Sequence, residues 1–229
     1  MFCAAPELVF LQMANVLDEE RLQFLGFELC GRYGIVGGKS RLCDQICTSD
    51  IISLFLDDCA GVHGSKKAAR VVRSVLGGAA SPMEAALAVC LVSPREVGGF
   101  GLPEPKLNHP LPVRGSTRKL WGTNYITPDL LWESAKLAIE YDSDEEHAAE
   151  KRITHDSVRR IVLEELGYRV LSVTNGMFSD PIQLERIAGV VASVLGLNLP
   201  EAVDEEWVRE VSFQKRIRDL AMHPERLLG

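Results

Sequence analysis

The sequence predicts an α/β protein with a mixed β-sheet flanked by helices and preceded by a small helical subdomain. Three observations carry this. From Ser81 onward the apolar pattern reads helix, strand, strand, strand, helix, strand, helix, the alternation expected of helices packed on a sheet. Residues 1 to 78 carry helical spacing, broken only by turn residues. The 229 residues are 46% hydrophobic and 25% charged, enough to bury a core and far from the composition of a disordered chain.

The elements follow in order. Between Glu7 and Tyr33 the spacing predicts two short helices, the second opened by Asp18, Glu19 and Glu20. "YGIVGGKSR" breaks the pattern with glycine, and a helix restarts behind Thr48 or Ser49 as N-cap. A basic amphipathic helix is predicted from Ser65 to Leu76, closed by Gly77 and Gly78. Ser81, Pro82 and Glu84 form a capping box ahead of the apolar run that follows.

After the glycine- and proline-rich "GGFGLPEP", Leu107 to Val113 read as extended. Residues 125–132 and 137–142 read as two strands joined by a hairpin connection over 133–136. A helix over 149–166 follows, with Ile153, Val158, Ile161, Val162 and Leu166 on its buried side and Gly167 as its cap. A strand at "YRVLSVTN" and two more helices, at "DPIQLERIAGVVASVLG" and "DEEWVREVSFQKRIRDLAMH", complete the chain. The expected division is 1–78, helical, and 79–229, α/β.

A net charge of -7 and a pI near 5.3 mean that the molecule as a whole repels nucleic acid, so such a partner needs a local basic face. The six cysteines, too sparse for a disulfide scaffold, read as reduced thiols in small core positions. No signal stretch opens the chain and no apolar run approaches the ~20 residues that span a bilayer, so a cytoplasmic location is expected.

The chemistry concentrates in "TPDLLWESAKLAIEYDSDEEH", residues 127–147. Centring the turn between Ser134 and Ala135 sets Asp129 opposite Glu140, and Asp142 follows two residues on, on the same face. Opposed like charges persist when a cation neutralises them or when one takes a proton. Three converging carboxylates suit Mg2+ or Mn2+, whereas a one-residue slip in register would separate Asp129 from Glu140. His147 is a candidate base or shuttle, ahead of Lys136 and Lys151. Arg114, Arg118, Lys119, Lys151, Arg152, Arg159 and Arg160 gather positive charge around this stretch, suited to a phosphate backbone. Asp156 and Arg159, three apart, read as an intrahelical ion pair. Trp121 and Tyr125 read as packing residues before base-stacking ones.

"PD" at 128–129, "AIEYDSDEEH" at 138–147, Asp156 with Arg159 and Arg160, and "LEELGYRVLSVT" at 163–174 together resemble the PD-(D/E)XK endonuclease-like domain related to very-short-patch repair endonucleases. The resemblance covers about 81–196. It implies a restriction-endonuclease-like fold, Asp129 and Glu140 as ligands of Mg2+ or Mn2+, Glu84 as an accessory acid, and DNA as substrate. Glu84 is fully explained by its capping box, the favoured reading of the two. Where that family expects Lys, two residues after Glu140, this chain has Asp142, which carries no positive charge, so that either it is a further metal ligand or the site is a relic.

Residues 1–113, through "ELCGRYG", "SPMEAAL" and "GGFGLPEPKLN", are similar to part of AbiEi-type abortive-infection antitoxin-like proteins of actinobacteria. The winged helix that often precedes this region there is expected to be absent here. Together these resemblances imply a metal-dependent DNA endonuclease in repair or phage defence, with a homodimer or an antitoxin-type partner. The alternative is a catalytically inactive, antitoxin-like regulator that keeps the fold.

Overall fold

The computed structural model describes residues 4–36, 39–142 and 149–227, with the side chains of 149–155 excepted. The chain forms two compact units, one of Met1–Gly101 with Ala202–Gly229 and the other of Leu102–Glu201. This differs from the expected boundary at residue 78. The helices on either side of the sheet region in sequence belong with the N-terminal helices because they bury their apolar faces there.

The first unit contains α1 (Pro6–Met13), α2 (Glu19–Leu29), β1 (Tyr33–Val36), β2 (Lys39–Leu42), α3 (Ser49–Asp58), α4 (Ser65–Val71), α5 (Pro82–Val92) and α10 (Asp204–Met222). Every residue of α5 from Glu84 to Leu91 is buried, the pattern of a helix that is apolar all round and packed on all sides. α2 and α10 lie against it, and α10 contributes Phe213, Ile217, Leu220 and Ala221 at helical spacing. The predicted N-cap at Ser81 is present, while the return bond of the capping box reaches the amide one residue earlier, at Ala80. Glu84 N donates to Ser81 Oγ at 3.2 Å, and the Glu84 carboxylate accepts from Ala80 N and Ser81 Oγ, each at 2.9 Å.

Two expectations for this unit fail. The segment read as all-helical contains an antiparallel hairpin, with Tyr33 opposite Leu42 and Val36 opposite Lys39. The Gly37-Gly38 pair between the strands is itself a hairpin signal in the sequence. The basic helix ends as an α-helix at Val71 and tightens into a 3-10 turn at Val72–Ser74, short of Leu76.

Glu28, near the end of α2, has one carboxylate oxygen buried without a hydrogen-bond partner, and burial pushes its pKa up to about 7. A carboxyl whose folded pKa exceeds its unfolded value costs stability as pH rises from the unfolded pKa through the folded one. Glu28→Gln is therefore expected to leave stability nearly unchanged at pH 4 and to raise it by about 3 kcal/mol at pH 8. Urea titrations at the two pH values check this.

The second unit contains β3 (Lys106–Leu107), β4 (Leu111–Pro112), α6 (Gly115–Trp121), β5 (Tyr125–Ile126), β6 (Leu130–Trp132), β7 (Leu137–Asp142), α7 (Ala149–Glu165), β8 (Arg169–Thr174), α8 (Asn175–Ser179) and α9 (Pro181–Val194). Its main sheet is mixed, in the order β3-β6-β7-β8, with β7 and β8 parallel and the other pairs antiparallel. A parallel pair needs a crossover, and α7 supplies it. The predicted strand over 125–132 is two short strands: β5 pairs with β4, while β6 pairs with β3 and β7. Thr127, Pro128 and Asp129 lie between β5 and β6, and Asp129 O accepts from Asn108 N at 3.0 Å beside the end of the β3–β6 pair.

Leu131, Ala138 and Val170 stand side by side on one sheet face and share a core cluster with Val162 and Leu163 of α7. The buried side of α7 is therefore centred on Val162 and Leu163, whereas Ile161, expected inside, is 45% exposed. On the opposite face Leu130, Leu137 and Ile139 are fully buried, and Tyr141 meets Phe178 of α8 edge to face at 6.3 Å. The result is an α/β arrangement with a mixed sheet and helices on both faces.

Candidate functional site

The hairpin between β6 and β7 sets the site. Its register pairs Leu130 with Ile139 and Leu131 with Ala138, and one further step sets Asp129 opposite Glu140. This is the register the turn position predicted. Asp129 Oδ2 accepts from Tyr141 N at 2.7 Å, so its side chain continues the ladder beyond the last strand pair.

Arg159 completes the group. It lies four residues before Leu163 on α7, one turn along the helix face that packs on the sheet. Arg159 Nε donates to Glu140 Oε2, and one terminal guanidinium nitrogen donates to Thr127 O at 2.5 Å and stands 3.5 Å from Asp129 Oδ1. The three side chains are only 14–20% exposed. Two carboxylates and one guanidinium thus sit together, largely withdrawn from water. The opening between β5 and β6 matters because it frees the Thr127 carbonyl, which in a continuous strand would be directed to a neighbour.

This arrangement explains how opposed acids persist beside the core: a cation from the crossover helix lies between them. It also extends the sequence reading of Arg159. The sequence suggests an intrahelical partner in Asp156 and a place in the positive charge around the site; the guanidinium reaches off the helix to the sheet. The sequence signal was a charged residue four before Leu163, hidden because the apolar stripe was centred one residue too far toward Ile161.

The other predicted residues are placed as follows. Asp142 is exposed at the end of β7, and among the described residues no three His, Cys, Asp or Glu side chains form a group suited to a metal. Glu84 belongs to the other unit, where its carboxylate accepts from Ala80 N and Ser81 Oγ at the start of α5. His147 lies outside the described residues, as do the side chains of Lys151 and Arg152. Lys136 caps the far end of the hairpin with its ammonium 4.4 Å from the centre of the Tyr168 ring.

Arg114, Arg118 and Lys119 are exposed on and just before α6, a helix that the sequence reading did not foresee. α6 packs against α7, and Thr117 Oγ1 donates to Glu165 Oε2 at 2.8 Å, about 9 Å along α7 from Arg159. Trp121 Nε1 donates to Tyr125 O at 2.8 Å and its ring packs against the core cluster, the structural role expected of it. Arg160 pairs with Glu164 and lines a separate cleft beside β8 and α9. Of the basic residues singled out in the sequence, Arg159 is the one whose described contacts reach the carboxylates.

The cysteines described, Cys30, Cys43, Cys47, Cys59 and Cys90, are all free thiols. Among the described residues no helix is long and apolar enough to cross a membrane.

No family model matches the chain, and no solved structure matches it. It is similar to two proteins of Mycobacterium tuberculosis, one from strain CDC 1551 / Oshkosh and one from strain ATCC 25618 / H37Rv, both named only as uncharacterized. Each is 27% identical over 127 residues, which make up 56% of this chain and 42% of the relative. The matched region therefore spans about two fifths of the length of these relatives.

Proposed function

We propose that the unit of Leu102–Glu201 is a restriction-endonuclease-like domain that hydrolyses DNA phosphodiesters with Mg2+ or Mn2+, using Asp129 and Glu140 as the acidic ligands. The observation that carries this reading is the placement of Asp129 opposite Glu140 at one end of a strand–strand–strand–helix–strand sheet. The oxygens present fit a hard divalent ion: two carboxylates and the Thr127 carbonyl already surround one cationic group. When bound, such an ion lowers the pKa of a coordinated water and neutralises charge on the phosphate. Asp129 is held for this role by the Tyr141 amide, and Glu140 by its place in β7. Exposed Arg114, Arg118 and Lys119 offer contacts to the phosphate backbone, which an acidic chain needs locally.

A supercoiled-plasmid nicking assay with Mg2+ or Mn2+ tests the proposal. Wild-type protein is expected to nick, and Asp129→Asn or Glu140→Gln to reduce the rate by about 100-fold or more. Equal nicking by wild type and both variants overturns the site assignment.

A second reading is a non-catalytic, antitoxin-like regulator that retains the fold. Two observations favour it: Asp142 stands where the resembled family has Lys, and Arg159 is bound to the carboxylates. Folded wild-type protein that nicks neither DNA nor RNA with either ion selects this reading.

A further inference from the structure

We infer that Arg159 is a resident cation that a divalent ion must displace to enter the site, so that metal affinity is set by competition with the chain's own guanidinium. This rests on the proposal that Asp129 and Glu140 form a metal site, and concerns how that site is kept closed.

The geometry gives the reason. Arg159 makes simultaneous contact with Glu140 Oε2, the Thr127 carbonyl and the neighbourhood of Asp129 Oδ1, the same oxygens a divalent ion would use. A guanidinium bonded to these atoms occupies their lone pairs and the space between them. An ion that entered with Arg159 still in place would put two like-signed centres together in a region shielded from water, where their repulsion is poorly screened. Occupancy by one therefore excludes the other.

The route by which Arg159 leaves is also built in. It is carried by a helix, so rotation of its own side-chain torsions swings the guanidinium away without moving β6 or β7. Asp129 keeps its bond from the Tyr141 amide meanwhile, so the carboxylate stays aimed as the cation changes. A released guanidinium beside the ion suits the phosphate that follows, since arginine pairs with phosphate oxygens through two parallel hydrogen bonds. That would supply near the site a positive charge that Asp142 does not.

Mn2+ affinity, read by electron paramagnetic resonance of the free ion, tests the competition in wild type, Arg159→Ala, Arg159→Gln and Arg159→Lys, each confirmed as folded by circular dichroism. Arg159→Gln retains a donor for Thr127 O without the charge and serves if the alanine variant does not fold. The expected result is affinity at least about tenfold tighter in the Ala and Gln variants than in wild type. The Lys variant should stay near wild type, and adding Glu140→Gln to the Ala variant should abolish the gain. Unchanged or weaker affinity in the Ala and Gln variants, with wild type binding measurably, overturns the competition and leaves the metal site standing. No binding by any folded variant at millimolar Mn2+ overturns both.

Discussion

Arg159→Ala is expected to lower the stability of the Leu102–Glu201 unit by about 3 kcal/mol. The change leaves Asp129 and Glu140 opposed across a hairpin, 14% and 16% exposed, with their guanidinium partner removed. Breaking one side of a largely buried ion pair is costly because the remaining charge has already lost its water. The contrast that identifies this cause is a triple variant, Asp129→Asn with Glu140→Gln and Arg159→Leu. Removing all the charges at once should recover most of the loss, because the desolvation cost disappears with them. Urea unfolding followed by far-ultraviolet circular dichroism measures both. A small loss in the single variant, or an equal loss in the triple one, would mean that the guanidinium contributes packing and not charge compensation.

Gly99→Ala should damage the other unit at least as severely. A Cβ built at Gly99 would lie 2.1 Å from Ser93 O and 2.6 Å from the Ser93 carbonyl carbon and Cβ, too close for a side-chain rotation to relieve. Gly99 sits in a loop that folds back onto the end of α5: Gly99 N donates to Pro94 O, Phe100 N to Cys90 O and Gly101 N to Ser93 O. Relieving the clash means opening that set of bonds next to the buried Phe100. A loss of about 4 kcal/mol is expected, or a melting temperature lowered by roughly 10 °C. Gly61→Ala is the control. Gly61, unlike Gly99, has a positive φ, of 88°, but nothing lies within 4 Å of its added Cβ, so only the backbone strain of about 1 kcal/mol should appear.

These two sites differ in how much of them the sequence could disclose. The hairpin register was legible because a four-residue connection between two apolar runs allows few pairings, and its consequence for Asp129 and Glu140 followed directly. The N-cap at Ser81 was legible because its chemistry is local. The role of Arg159 was not. It depends on which side of α7 faces the sheet, and Val158, Ile161, Val162 and Leu163 allow more than one apolar stripe until the sheet selects Val162 and Leu163.

The break between β5 and β6 was hidden for a related reason. "YITPDLLW" has strand-like composition throughout, and only the presence of different partner strands on either side of Pro128 divides it. The return of α10 to the N-terminal unit is a long-range packing event with no local signature. The clash at Gly99 is likewise a matter of how a loop closes on a distant carbonyl, which glycine in a Gly-Gly pair permits but does not announce.

We propose that Asp129 and Glu140 form a divalent-cation site that Arg159 occupies in the absence of the ion. Crystals grown with Mn2+, measured at a wavelength where manganese scatters anomalously, test it most directly. The expected result is an anomalous peak bounded by the Asp129 and Glu140 carboxylates and the Thr127 carbonyl, with the Arg159 guanidinium moved out of that space. Arg159 still bridging the two carboxylates at saturating Mn2+, with no peak between them, would contradict it.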